Sequence, residues 1–351
     1  DPSSQSVCSV GGNVAENSGG VHCLKYGVTT NHVLGVKLVL PDGEIVAIGG
    51  AVGEQPGYDL IGLLVGSEGT LGIVTEITLR ILKAPESINV LLADFTSIEA
   101  AGAAVSDVIS AGIVPAGMEM MDNFSLNAVE DVVKTECYPR DAEAILLIEI
   151  DGLPSEVEAC RDRITTICQD NGARQVTVAA DPEDRLRLWK GRKAAFAAMG
   201  KLSPDYYVQD GVIPRTQLPY VLQEIEALGE KHGYRVANVF HAGDGNLHPL
   251  ILFNNRIPGQ LEAVEELGGD ILKLCVEVGG SISGEHGIGA DKRCYMPDMF
   301  SATDLETMQW VRTSWNPKGL ANPTKIFPTP RTCGEAARAT LPPALTEGDR
   351  F

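Results

Sequence analysis

The chain has 351 residues, enough for two domains with cores of their own. Its 44% hydrophobic and 21% charged content is that of a folded globular protein. Forty-seven acids against 28 bases leave a net charge of −19, which repels phosphate and excludes a nucleic-acid backbone as partner. No apolar run reaches the ~18 residues that a bilayer crossing requires.

Residues 1–84 are Gly-dense and β-like. Val33 to Leu40, then Pro41-Asp42-Gly43, then Glu44 to Ile48 reads as a hairpin with Asp-Gly as its turn. Ile73 to Leu82 alternates as a strand, and Pro85 closes the block. Strands then alternate with amphipathic helices. Ile88–Phe95 is a predicted strand, and 97–112 a helix capped by Ser97 and stopped at Gly112. Ala144–Ile150 is a strand, and 155–172 a helix with Ser155 and Glu158 in capping-box spacing. Strands follow at 176–179, 206–213, 235–241 and 247–253, with helices at 216–232 and 259–278. The pattern predicts an α+β sandwich of antiparallel sheet and helices. Pro328 to Phe351 reads as a loose tail.

The eight cysteines (Cys8, Cys23, Cys137, Cys160, Cys168, Cys275, Cys294, Cys333) include no Cys-x-x-Cys pair. Their scatter reads as reduced intracellular thiols, hence a cytoplasmic setting, and gives no thiolate set for an iron–sulfur cluster.

Five features of the sequence carry chemistry. The runs Gly11–Gly20 (GGNVAENSGG) and Gly66–Thr75 (GSEGTLGIVT) are glycine-dense, so their amides can approach a ligand closely, or they can be tight turns; the residues alone leave both open. In Val239–Pro249 (VFHAGDGNLHP), a loop over 243–246 would set His241 opposite His248 on one face, where two imidazoles can share a divalent cation. Ser283–Gly289 (SGEHGIG) offers Glu285 as a third ligand and His286 as a general base. His₂Glu leaves coordination positions open, as catalytic sites do. Arg192 is either a surface cation or a bidentate carboxylate anchor.

His241–His248 (HAGDGNLH), Ser283–Gly289, both glycine runs and Asn322–Phe327 (NPTKIF) together resemble the FAD-linked D-2-hydroxyacid dehydrogenases of the vanillyl-alcohol-oxidase type, in the branch of the FAD-linked glycolate oxidase subunits. The resemblance spans 7–333. It implies the C-terminal part of a PCMH-type FAD-binding domain at 1–84, an α/β-sandwich (ferredoxin-like) substrate and metal cap at 85–290, a return to the FAD domain at 291–327 and a tail at 328–351. It also implies that Gly11, Gly12, Ala15, Asn17, Gly19, Gly20, Glu68, Gly72, Ile73, Val74 and Asn322 line FAD. His241, His248 and Glu285 would hold a divalent metal, most often zinc. His286 would take the hydroxyl proton as hydride leaves to the flavin, and Arg192 would hold the carboxylate. Family members begin with a further stretch that includes a pyrophosphate-binding loop, so the chain is expected to be a truncated or split form. Val208 and Leu250 stand where relatives handling dicarboxylates carry Lys and Asn; with Phe196 near Arg192 in sequence, this suits a small monocarboxylate, glycolate or D-lactate. Partner iron–sulfur and second flavin-type subunits at the inner membrane face are implied to take the electrons. An inert assembly subunit and a hydrolytic metalloenzyme are the competing readings.

Overall fold

The computed structural model describes residues 2, 4–52 and 56–328; nearly all of the expected tail lies outside them. Two compact units divide the chain, one made of 1–20, 27–82 and 282–351, the other of 21–26 and 83–281.

Elements are numbered along the whole chain. The first unit contains α1 (Val10–Glu16), β1 (Val33–Val39), β2 (Ile45–Gly49), α3 (Leu60–Leu64), β3 (Ile73–Leu79), α10 (Met296–Met299) and α11 (Ala302–Trp315). β1 is the middle strand of an antiparallel sheet ordered β2-β1-β3. The expected Asp-Gly hairpin is present. Val39 pairs with Ile45, and Gly43 turns the chain at φ 90°, its N–H bonded to Leu40 O at 2.9 Å. Val14, Val33, Val36, Leu38, Leu64, Val65 and Leu71 form this unit's core.

The second unit is built on a seven-stranded sheet in the order β7-β4-β6-β5-β9-β10-β8, with every pairing antiparallel. Its strands are β4 (Ser87–Phe95), β5 (Gly117–Asp122), β6 (Ala144–Gly152), β7 (Ala173–Val178), β8 (Asp205–Val208), β9 (Val236–His241) and β10 (Pro249–Phe253). Its helices are α2 (Cys23–Tyr26), α4 (Ile98–Ser110), α5 (Asn123–Val133), α6 (Pro154–Asp170), α7 (Pro182–Leu202), α8 (Leu218–His232) and α9 (Gln260–Glu277). This is the expected antiparallel sandwich, with helices on both faces of the sheet. Leu91, Met118, Met120, Leu146 and Ile148 pack with α4, α6, α8 and α9 on one face. Val90, Met121, Leu147 and Val239 pack with α5 and α7 on the other. Alternate residues of a strand face opposite ways, so with both faces covered the central strands β6, β5 and β9 are buried at nearly every position.

Three expectations need correction. The Gly11–Gly20 run is not all loop, because Val10–Glu16 is helical, with Ser9 Oγ accepting Gly12 N–H at 3.0 Å and Asn17 closing it at φ 50°. Ser155 is not the cap of α6. Leu153 takes that place, Pro154 occupies the first turn, where its missing N–H costs nothing, and Glu156 reaches back to Leu153 N–H. The thiols are not all free. Cys8, Cys23, Cys137, Cys160, Cys168 and Cys275 are in no disulfide, but Cys294 is disulfide-bonded, since spacing along the chain does not report which sulfurs the fold brings within bonding distance.

Candidate active site

The histidine hairpin folds two residues out of the expected register. Pro249 pairs with Asn238 and His241 bridges Asn246, so His241 is not directly opposite His248. The turn keeps the expected four residues but lies at 242–245, one position earlier: Gly245 N–H returns to His241 O at 3.2 Å, and His241 N–H goes to Asn246 O at 3.1 Å. Gly245, at φ 80°, has no room for a side chain, since a Cβ there would lie 2.2 Å from Ile213 O. Ile213 N–H and Gly211 O strap the hairpin tip to the segment following β8. A shift of two residues keeps a side chain on the same face of a sheet. The imidazoles therefore still meet, now diagonally, with ring centroids 5.1 Å apart and planes at 87°. Both rings are buried, and each offers a ligating atom within 4.8 Å of the other. Asp210, fully buried and not singled out from sequence, brings a carboxylate oxygen within 4.8 Å of a ligating atom of His248.

Behind His241 stands a residue that the sequence reading missed. Glu119 on β5 pairs directly with His241 on β9. Its Oε1 lies 2.7 Å from His241 Nδ1, and its Oε2 accepts from Arg192 Nε at 2.8 Å and faces Arg192 Nη2 at 2.6 Å. Arg192, the expected carboxylate anchor, is 3% exposed and aimed at this acid from α7. Burial alone would push the Glu119 carboxyl up. His241 and Arg192 outweigh it and hold the group below its usual range. The signal for Glu119 was an acid between methionines in a run, Gly-Met-Glu-Met-Met-Asp, whose composition does not read as a strand.

Next to His248 the wall is apolar. Phe196, one helical turn beyond Arg192, meets the His248 ring edge-on at 6.3 Å and Tyr206 at 6.4 Å. Leu250 and Val208, far apart in sequence, are direct cross-strand partners. Leu250 belongs to the buried cluster that Phe196 and Val208 both pack against.

In the first unit, four sequence motifs are stitched together around Glu68. Gly66 N–H donates to Val14 O and Glu68 N–H to Ala15 O, each at 2.8 Å, which ties the second glycine run to α1. The Glu68 carboxylate accepts from Ile288 N–H at 2.6 Å and Gly289 N–H at 2.8 Å, just beyond Glu285-His286-Gly287. Asn322 Nδ2 donates to Glu68 O, and Ile326 N–H to Gly289 O at 2.9 Å. Glu68 is itself in the left-handed region at φ 52°. Burial raises its carboxyl against the pull of the two amides. Glu16, at the end of α1, is pushed up to about 7 by burial and by Glu68. Asn17 Oδ1 accepts Thr30 N–H, and Gly72, Ile73 and Val74 lead into β3. Glu285 and His286 thus belong to this unit, and His241, His248, Asp210 and Arg192 to the other.

The family model for the C-terminal domain of FAD-linked oxidases matches residues 84–326, and the FAD binding domain model matches 1–49. The chain belongs to the FAD-linked oxidases. Among relatives of this oxidase, the glycolate oxidase subunit GlcD of Escherichia coli (strain K12) is 52% identical over 335 residues, covering 95% of this chain and 67% of that protein. GlcD of Bacillus subtilis (strain 168) is 38% identical, covering 93% and 70%. A D-lactate dehydrogenase of Archaeoglobus fulgidus is 34% identical, covering 91% and 70%. The fold is that of p-cresol methylhydroxylase (TM-score 0.74, 12% identity, covering 93% of this chain and 70% of that one). It is also that of 4-ethylphenol oxidase from Gulosibacter chungangensis (TM-score 0.72, 16% identity, 94% and 71%). These place the oxidase in the PCMH-type architecture that the motifs implied. Among the described residues, no helix is long and apolar enough to cross a membrane.

Proposed function

We propose that this chain carries the catalytic residues of an FAD-linked dehydrogenase that oxidises a small D-2-hydroxy acid, glycolate or D-lactate, to the 2-oxo acid. The observation that carries the reading is the buried His241–His248 pair, backed by Glu119 and walled by Phe196 and Leu250. The names of the relatives point the same way.

The residues fit the groups that the family implies. An imidazole with one nitrogen held by a carboxylate, as His241 is by Glu119, is suited to a divalent cation such as zinc; His248 stands beside it, and Glu285 is the acid we assign as third ligand. Bound there, such a cation would act as a Lewis acid toward the substrate hydroxyl, and FAD would accept the hydride. For FAD the fit rests on Gly11, Gly12, Ala15, Asn17, Gly19, Gly20, Glu68, Gly72, Ile73, Val74 and Asn322, whose segments the first unit ties together.

In this reading His286 removes the hydroxyl proton as general base. The α-hydrogen leaves with its electron pair, so proton and hydride together account for the two-electron oxidation. Arg192 is fixed along its Nε edge by Glu119, and Nη2 is a buried donor with capacity left for a substrate carboxylate. The apolar wall favours small side chains: a distal carboxylate would meet Phe196, Val208 and Leu250 with nothing there to pair it. The domain assignment (FAD-binding segments at 1–84 and 291–327, cap at 85–290) belongs to the same proposal. So do a cytoplasmic or peripheral inner-membrane location and electron exit through iron–sulfur and second flavin-type partner subunits.

The test is steady-state oxidation of glycolate, D-lactate and D-2-hydroxyglutarate with an artificial acceptor, alongside the visible flavin absorption and the metal content of the protein. Preference for either small acid is expected. Preference for the dicarboxylate would overturn the substrate class, and unchanged metal content in Glu285→Ala would remove that ligand.

A further inference from the structure

A single acid joins two elements that the sequence keeps far apart. Glu119 is fully buried on β5; Oε1 meets His241 on β9 and Oε2 meets Arg192 on α7. We infer that Glu119 is a positioning residue for the oxidation: it sets the tautomer of His241 and the placement of Arg192 together. The inference rests on the proposed site in so far as those two residues serve it.

An ionised carboxylate has acceptors only. Arg192 donates to Oε2 and carries a permanent charge, so the anion at 119 has a fixed partner on one oxygen. Oε1 must then receive a proton from His241 Nδ1. A neutral ring with its hydrogen on Nδ1 carries its lone pair on Nε2, the form that ligates a cation through Nε2. The backbone enforces the contact: Glu119 and His241 are register partners across β5–β9, so their side chains share one face at the closest cross-strand spacing. The guanidinium arrives on that same face because α7 packs there, through Leu188, Trp189 and Ala195.

Glu119→Gln isolates this role. The amide has the size of the acid but only one acceptor atom. Arg192 has no acceptor to offer, so the amide oxygen must turn toward it, and the amide nitrogen then donates to His241 Nδ1. The ring proton moves to Nε2, and the ligating lone pair points into the sheet. The measurement is nitrogen-15 NMR of the imidazoles in metal-free protein, wild type and Glu119→Gln, with Zn²⁺ titrations of both. Expected are an Nδ1–H tautomer for His241 in wild type, an Nε2–H tautomer in the variant with His248 unmoved, and Zn²⁺ affinity lowered on the order of 10- to 100-fold. An Nε2–H tautomer in wild type overturns the inference without any variant, and so does undiminished Zn²⁺ affinity in a folded Glu119→Gln protein. A locked Nδ1–H tautomer in a protein that oxidises no hydroxy acid would sink the functional reading, and with it the role in the oxidation, while the Glu119–His241–Arg192 assignment would stand.

Discussion

Gly191 immediately precedes Arg192 in α7, and helix propensity argues for replacing it. Alanine in a helix interior is better than glycine by up to ~1 kcal/mol. The packing argues the other way. A Cβ at position 191 would lie 2.3 to 2.6 Å from three atoms of the Tyr138 ring, Cε2, Cζ and the hydroxyl oxygen. That ring is 5% exposed and cannot swing aside, because its hydroxyl donates to Leu188 O and accepts Arg192 N–H at 3.1 Å. Overpacking of this kind costs ~1–3 kcal/mol, so Gly191→Ala should be destabilising by a net ~1–2 kcal/mol. For a unit of this size, that lowers Tm by about 2–8 °C. Thermal unfolding followed by circular dichroism reads the shift. In a Tyr138→Ala background the same substitution should become neutral or stabilising, the pairwise coupling that a double-mutant cycle exposes. A Gly191→Ala protein as stable as wild type with Tyr138 intact would falsify the claim that the ring leaves no room for a side chain at position 191.

Glu16 offers a pH test. Its carboxyl is raised from 4.5 to about 7 in the folded chain, so the fold binds the proton more tightly than the unfolded chain does, and its contribution to stability is lost as pH rises from about 4.5 to 7. Glu16→Gln should therefore match wild type near pH 4.5 and exceed it above pH 7, by about 1–2 kcal/mol once solvent screening of a half-buried group is allowed for. A stability difference that does not vary with pH would refute this. Glu68→Ala removes the acceptor of Ile288 and Gly289 N–H, and hydrogen exchange at those two amides should rise at least tenfold. Unchanged protection would mean that the Glu285-His286 segment is held by something else. Asp122 caps α5 through Ser125 N–H at 2.8 Å and accepts Asn238 N–H at 2.8 Å from β9. Asp122→Ala leaves both buried donors unmet and should cost ~2–4 kcal/mol by denaturant unfolding; a loss below ~1 kcal/mol would contradict it.

How much of this could be read beforehand depended on where the chemistry was local. The Asp-Gly hairpin, the Ser97-capped helix and the His-x₆-His spacing are each set by a few neighbouring residues, and each is present. The hairpin register was missed by two because it is fixed from outside, by Ile213 and Gly211 clasping the tip. β5 was hidden by methionines and acids, which are poor strand formers, and becomes a strand because β6 and β9 flank it. α7 was hidden too: its outward residues are charged, and its buried ones include Gly191 and Arg192, so no clean apolar stripe marks it. With β5 and α7 unread, the Glu119 link between His241 and Arg192 could not be seen. Glu68 was assigned to the cofactor on resemblance alone, and its grip on Ile288 and Gly289 is a contact across 220 residues that no window of sequence contains.

The hexapeptide Val21–Tyr26 groups with the sandwich although residues 27–82 of the other unit separate it from Lys83. Lys25 and Tyr26 both bind the Asp151 carboxylate, and His22 meets Glu149 at 3.1 Å. Anyone excising the sandwich as a clean stretch starting at Lys83 would strand two acids of its central sheet without their clasp. A working fragment has to carry that short upstream splint along, grafted on or supplied as a peptide.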